Sequence, residues 1–476
     1  MRQRLGEQHG GRCVCQFGSD LHLRSGRGHN MCRWFCGVLA KMYRPNRTRI
    51  GRWRLVVLTA GICAAQNLAL AAPPDTLKVA IVTFLSGPAA AAFGTHARNA
   101  AMLVVDQINA GAVPAPYDQP GIAGAKFEAV FIDESGGATR QVTEFRNLVQ
   151  RQNVDVVLGY VSSGDCLAIA PIAEELKTLL IAANCGTSRL FEEDRYRYVF
   201  RTIHHSVPDN IAVARYVHER FPAARRIAGI NQNYAWGRDS WAEFVAALGQ
   251  LQGDIEIVDE QWPKLFAGQF GAEISSLLVK QPDVIHSSMW GADLEAFISQ
   301  AAGRGLFARS QVVLSAGGHI LPRVSARLPD GTIIGDRGAT GEFIEPGLLG
   351  DWYVAAYQGR FEETPIDISF AQALLGLKAA YEKAWRVNGA FPSTDQVISA
   401  FEYLSFPSPG GQVHMSLGDG HQAIAQTAVG RSRDDPELGK VTVTDIRYYS
   451  ARCVNPLSSM SGRDWIGSGF PDAQCD

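Results

Sequence analysis

The sequence predicts an α/β protein of two βα lobes, each a mainly parallel sheet with helices on both faces. Three observations carry this. Short, nearly continuous apolar runs rich in Val, Ile and Leu recur along the chain, as parallel strands covered on both sides do. Amphipathic stretches of helix length separate them. The alternation then restarts after Arg201-Thr202 as a second set of similar size.

The first set opens with a β-branched run at 77–83 (LKVAIVT), a Gly/Pro loop, and an amphipathic helix at 94–109. A strand at 127–132, a helix at 139–151, a strand at 154–159, a helix at 167–176 and a strand at 179–183 follow. The second set runs helix 210–220, strand 226–230, helix 237–248, strand 255–261, helix 269–280, strand 283–286, helix 292–303 and strand 312–315. After residue 336 the pattern offers one long helix, 370–385, a shorter one, 395–401, and a strand at 441–449. That is too little for a third sheet domain, so this region is expected to return and pack on the first lobe. The resulting boundaries place lobe 1 at 75–203 and 336–425, lobe 2 at 204–335 and 426–450, and a tail at 451–476.

A chain of 476 residues, 46% of them apolar, can bury a sizeable core without a metal or disulfide to hold it. The net charge of −2 lacks the basic footprint expected of a nucleic-acid binder. The N-terminal region differs from the rest. Met42 precedes Arg44, Arg47, Arg49, Arg52 and Arg54, then an apolar run at 55–65 and Ala69-Leu70-Ala71. This order is that of a secretory signal peptide, so 42–72 is expected to be removed near Ala71 or Ala72 on export. Gln66 and Asn67 cut the apolar run below the roughly 20 residues a membrane span needs. Ile62 before Cys63 argues against lipid attachment. Residues 1–41, without helical or strand period, are expected to be a leader outside the fold. Beyond it stand Cys166, Cys185, Cys453 and Cys475. In an oxidising compartment they allow two disulfides in three pairings. Cys453 with Cys475 would tie the tail, and Cys166 and Cys185 each follow a strand; free, buried thiols are the alternative.

No dinucleotide fingerprint, P-loop, H-E-x-x-H or nucleophile-elbow pattern is present, so no cofactor or metal is expected and an enzyme is disfavoured. In open α/β sheets ligands bind beyond the carboxyl ends of the strands. Three first-lobe loops stand there: 84–94 with Phe93; Ser162-Ser163-Gly164-Asp165-Cys166; and Asn184-Cys185-Gly186-Thr187-Ser188. Hydroxyls and helix N-terminal N–H groups suit a carboxylate. The second lobe contributes Tyr234, Trp236 and Trp290, whose rings suit a flat or apolar ligand. His204 and His205 fall at the junction of the two sets.

These motifs taken together resemble the type I periplasmic binding proteins of the leucine/isoleucine/valine-binding kind, the solute receptors of ABC importers. The resemblance runs from about Leu77 to Tyr449. It rests on Ser86-Gly87-Pro88 with Asp106-Gln107-Ile108-Asn109, Ile132-Asp133-Glu134, Val157-Leu158-Gly159, Phe200-Arg201-Thr202, Tyr234-Ala235-Trp236-Gly237 and Gly420-His421-Gln422. It implies two Rossmann-like lobes joined by a three-segment hinge that close on a small molecule, a membrane permease as partner, a periplasmic monomer and no catalysis. It also implies ligand-binding roles for Phe93, Ser162, Ser163, Asn184, Cys185, Gly186, Thr187, Trp236, Trp290 and His205. This sequence departs from the family at the acids that meet an α-ammonium. Ser206 and Gly317 occupy those positions, with Asp209 as a stand-in if the loop shifts. An organic or aromatic acid is therefore the expected ligand. The rival readings are a sensor of the same fold, a metal-binding receptor, and an exported enzyme using Asp165, His204 or His205.

Overall fold

The computed structural model describes residues 73–324, 327–456 and 460–475. The expected leader at 1–41 and signal segment at 42–72 lie outside the described residues. Among the described residues no helix is long and apolar enough to cross a membrane.

The chain forms fifteen described strands. The first five are β1 (Thr76–Thr83), β2 (Lys126–Asp133), β3 (Val156–Gly159), β4 (Leu179–Ala182) and β5 (Val199–Arg201). The next five are β6 (Arg226–Ile230), β7 (Glu256–Gln261), β8 (Val284–Ser287), β9 (Gln311–Leu314) and β10 (Ile333–Gly335). The last five are β11 (Ser405–Ser408), β12 (Gly411–Leu417), β13 (Gln422–Ile424), β14 (Thr427–Asp435) and β15 (Lys440–Tyr449). They make two sheets, ordered β11-β12-β13-β5-β4-β3-β1-β2 and β15-β14-β10-β9-β8-β6-β7. Within each sheet the βα portion is parallel, and the late strands add antiparallel pairs. This is the two-lobed α/β fold expected from the alternating pattern. Every residue of β3, β4 and β8 is buried, because helices cover both faces of the central strands.

The chain passes between the sheets three times. It crosses after β5 into the helix Ser206–Arg220, after β10 into the helix Leu348–Phe361, and between β13 and β14.

Several elements differ from expectation. The region after residue 336 adds the helix Leu348–Phe361 and four further strands, β11 to β14. β11 contains a proline, β13 has three residues, and β14 carries exposed or half-exposed charges at its end. None shows the apolar run by which buried strands are recognised. The helices expected at 167 and 210 begin at Ser163 and Ser206. Their first turns are small and polar, which a hydrophobic period misses; Ser162 caps the earlier one by accepting the Asp165 N–H.

Two disulfides are present, Cys166–Cys185 and Cys453–Cys475. The second closes a tail whose helix Gly462–Gly467 packs on the helix Ala235–Gln252 of the second lobe. Trp465 anchors it, 1% exposed among Val207, Trp241 and Phe244 of one core cluster. Trp465→Ala is therefore expected to cost about 3–5 kcal/mol, the usual range for a buried aromatic truncated to Ala. Urea denaturation checks this; a loss below about 1 kcal/mol would show that the tail is peripheral to the fold.

Candidate ligand-binding cleft

The two sheets present the carboxyl ends of their strands to one cleft, which encloses about 460 Å³ of non-atom space, part of it open to solvent. The lobes touch along its rim. Thr187 Oγ1 donates to Asp239 (2.5 Å), Ser188 Oγ to Glu243 (2.8 Å), and Phe84 stacks obliquely on Trp290 with centroids 5.9 Å apart. The arrangement is closed.

Of the residues singled out in the sequence, Phe93, Ser163, Asn184, Gly186, Trp236 and Trp290 line the cleft. The Trp236 ring packs against Gly186, where a Cβ would run into it, so the contact between lobes needs a glycine there. The indole nitrogens are tied inside the protein: Trp236 Nε1 donates to the Ser288 carbonyl (2.8 Å) and Trp290 Nε1 to the Tyr234 hydroxyl (2.7 Å). Tyr234 also lines the cleft. Burial pushes its phenol up, so it stays protonated, and an oxygen that already accepts from Trp290 keeps its hydrogen to donate. Ser163 Oγ is in the same position. It accepts the N–H groups of Gly186 and Thr187, both at 3.1 Å.

Ser162, Cys185, Thr187 and His205 are not among the lining residues. The N–H groups of Val161 and Ser162, just ahead of the helix, are taken by the buried carboxylate of Glu134 at 2.7–2.9 Å. Cys185 is in a disulfide and its carbonyl accepts from Arg201. Thr187 turns its hydroxyl to Asp239. His205 faces a different cavity. Asp165 and His204, named for an enzyme reading, are buried and outside the cleft lining as well. Burial and the Arg337 charge hold His204 down at about 3, so it is neutral. Among the described residues no group of three or more His, Cys, Asp or Glu could hold a metal.

Of the lining residues that escaped the sequence reading, two are carboxyls, Asp336 and Asp367, and one is a guanidinium, Arg337. Arg337 lies on the second crossing. Its Nη1 donates to the Asn184 carbonyl (2.7 Å) and Oδ1 (3.2 Å), and its Nη2 to the His204 carbonyl. Its Nε sits 2.9 Å from Asp209 Oδ2, off the hydrogen-bond axis, so this contact is an ion pair. The guanidinium also stands 5.0 Å from the Trp236 ring centroid. Asp209 is therefore committed to Arg337 and is not a free stand-in for a ligand's ammonium. Ser206, at the first of the two acid positions, donates to Glu243 (2.8 Å). Near Gly317 a carboxylate does enter, from Asp336, the residue after β10. A Cβ on the adjacent Gly318 would fall on Asp336 Oδ2, so the bare glycine leaves that space to Asp336. Asp336 accepts from the Arg337 N–H (2.8 Å) and Thr340 (2.9 Å); Asp367 accepts from Asn184 (3.1 Å) and Ser369 (2.6 Å).

Burial pushes Asp336 up to about 7 and Asp367 to about 6. It also pushes Asp209 up, against the opposing Arg337 charge. A raised carboxyl contributes stability that is full below its unfolded value near 4 and lost as pH rises through its folded value. The buried histidines act in the opposite sense. Burial lowers His204 and His286 to about 3, His319 to about 4 and His205 well below its ordinary value. Their contribution is present above about 6.5 and lost as pH falls. Between pH ~7 and ~8 unfolded histidines are largely neutral already and the carboxyl effect dominates, so the melting temperature should fall over that interval. Asp336→Asn should make the fall smaller; an unchanged slope would contradict the assignment. Arg337→Ala, which strands Asp209 without a partner, should cost about 3–5 kcal/mol in chemical denaturation.

The periplasmic binding protein family model matches residues 76–436. A leucine-, isoleucine-, valine-, threonine- and alanine-binding protein of Pseudomonas aeruginosa is 24% identical over 261 residues, covering 54% of this chain and 66% of the relative. The chain thus aligns with somewhat less than two thirds of that relative's length. A solute-binding protein of an ABC transporter from Rhodopseudomonas palustris BisB5, in complex with 3,4-dihydroxy benzoic acid, superposes with a TM-score of 0.68 at 20% identity, covering 79% of this chain and 98% of that one. A leucine-, isoleucine-, valine-, threonine- and alanine-binding protein from Brucella ovis, in its closed conformation, gives 0.67 at 19% identity, covering 82% and 98%. With three quarters of its length matched by the family model and the same fold in both solved structures, the chain belongs to the type I periplasmic binding proteins of the leucine/isoleucine/valine-binding kind.

Proposed function

We infer that this protein is an exported receptor of an ABC importer that captures a flat organic acid, aromatic acids foremost, by closing its two lobes. One observation carries the reading: Asp209, the stand-in for an ammonium partner, is spent on Arg337 and does not line the cleft, whose walls are Phe93, Trp236 and Trp290. A buried ammonium needs a partner charge, whereas a carboxylate needs donors. Ser163 and Tyr234 each keep a hydroxyl hydrogen for that purpose. The aromatic walls suit a ring, and Asp336 and Asp367, which burial holds toward their neutral forms, suit a ring hydroxyl at the other end. The dihydroxybenzoic acid bound by the similar R. palustris receptor has this combination of groups. Export through the 42–72 segment, action as a periplasmic monomer and delivery to a membrane permease complete the proposal. No bond is made or broken; ligand binding shifts the population toward the closed form.

A second reading has one observation in its favour. Asp336 brings a carboxylate to the place where amino-acid receptors of this family have one, so an α-amino acid could pair with it. Calorimetry against dihydroxybenzoate, benzoate and leucine separates the two. The proposal expects micromolar or tighter binding of an aromatic acid and none of leucine; the reverse order would overturn it. Trp290→Ala and Ser163→Ala should each weaken aromatic-acid binding at least roughly tenfold, or about 1.4 kcal/mol. Tyr234→Phe, which removes only a hydroxyl, should weaken it less than the loss of the Trp290 ring does.

A further inference from the structure

A second cavity, sharing no lining residue with the ligand cleft, lies between the first lobe, the first crossing and the tail. It encloses about 490 Å³ of non-atom space, part of it open to solvent, and its walls include Arg201, His205, Glu192, Gln422, Phe191 and Met460. Arg201 is fully buried. Its Nε donates to Gln422 Oε1, and its Nη1 donates to the carbonyls of Cys185 (3.0 Å) and Thr187 (2.7 Å). Its guanidinium carbon stands 5.5 Å from the Phe191 ring centroid. All these partners are neutral, and Nη2 has none. Among the described residues no carboxylate oxygen forms an ion pair with it. Burial, with the Arg337 charge second, lowers its value to about 9 against the weaker opposing pull of Glu192, Asp209 and Glu243, none of which reaches it directly, so it remains a cation at neutral pH. A buried cation is costly unless a counter-charge meets it. On the same cavity His205 Nδ1 is also without a partner, and its ring is neutral because of burial and the neighbouring Arg201 charge. In the Nδ1–H form it offers a second donor.

We propose that this cavity is a binding site for a small monovalent anion, between chloride and acetate in size, held by the Arg201 Nη2 group and the His205 ring. Glu192, whose Oε1 accepts the Gly462 N–H (2.7 Å), faces the same space and opposes the anion while it is charged. Arg195 at the rim is exposed and paired with Asp419 (3.4 Å). The opposing roles of Arg201 and Glu192 give the site a signature that a water-filled hollow lacks.

The test is the melting temperature of the purified protein in sodium chloride and in sodium acetate, each balanced against sodium gluconate at constant ionic strength. Chloride, acetate or both should raise it in a saturable way, and whichever responds identifies the anion. Arg201 itself holds two backbone carbonyls and its loss would disturb folding, so two gentler variants are used. Glu192→Gln removes the opposing charge and should lower the half-saturating concentration at least about threefold. Met460→Trp fills the cavity and should abolish the anion response while leaving stabilisation by the cleft ligand intact. Equal melting in all three salts, or the same anion response in Met460→Trp as in the unaltered protein, would overturn the proposal.

Discussion

One planar side chain, that of Arg337, reaches four parts of the molecule. It holds the loop after β4 through Asn184, the first crossing through the His204 carbonyl, the second lobe through Asp209, and the cleft wall through the face of Trp236. Two of these partners lie on opposite lobes, and the arginine itself lies on a crossing between them. A buried ion pair of this kind is weak evidence for stability, because desolvating both charges offsets much of their attraction. What it does fix is geometry: a guanidinium fork with its donors assigned leaves the hinge few ways to close. It also fixes chemistry, since it takes up Asp209, the stand-in for the acid that the family pattern has at the position of Ser206.

The remaining polar groups of the cleft follow from that commitment. Asn184 carries Arg337 on its carbonyl and Oδ1, and passes its own N–H groups to Asp367 and Ser369. Asp336 fills the space that Gly318 leaves open. Burial raises both carboxyls, Asp336 to about 7 and Asp367 to about 6, and either can accept from a hydroxyl. On the other side Ser163 and Tyr234 are oriented by the hydrogen bonds they accept, which leaves them as donors. The aromatic rings between these two ends supply most of the contact area.

The two-lobed architecture was legible because central parallel strands announce themselves as apolar runs, and strand-end loops in such sheets face the cleft. That logic led to Phe93, Ser163, Asn184, Gly186, Trp236 and Trp290. It failed in two physically distinct ways. Asp336, Arg337 and Asp367 sit on or after a crossing, where no periodicity marks a residue as facing inward. The one available signal was the charged pair Asp336-Arg337 directly after the apolar strand β10. Ser162 failed for the opposite reason. Its loop was found, but the N–H groups it offers are absorbed by Glu134, 28 residues away in sequence, and no local pattern discloses that partner. The late strands β11 to β14 were missed because sheet-edge strands need little apolar sequence once neighbours hold them.

If Arg337 has removed Asp209 from ligand recognition, the cleft should prefer an acid without an ammonium group to the same molecule with one. Phenylalanine and hydrocinnamate share a ring, a chain and a carboxylate, and differ only in the α-ammonium. Isothermal titration of both against the purified protein therefore tests the central claim most directly. The account predicts tighter binding of hydrocinnamate; tighter binding of phenylalanine would contradict it and return Asp336 to the role of ammonium partner.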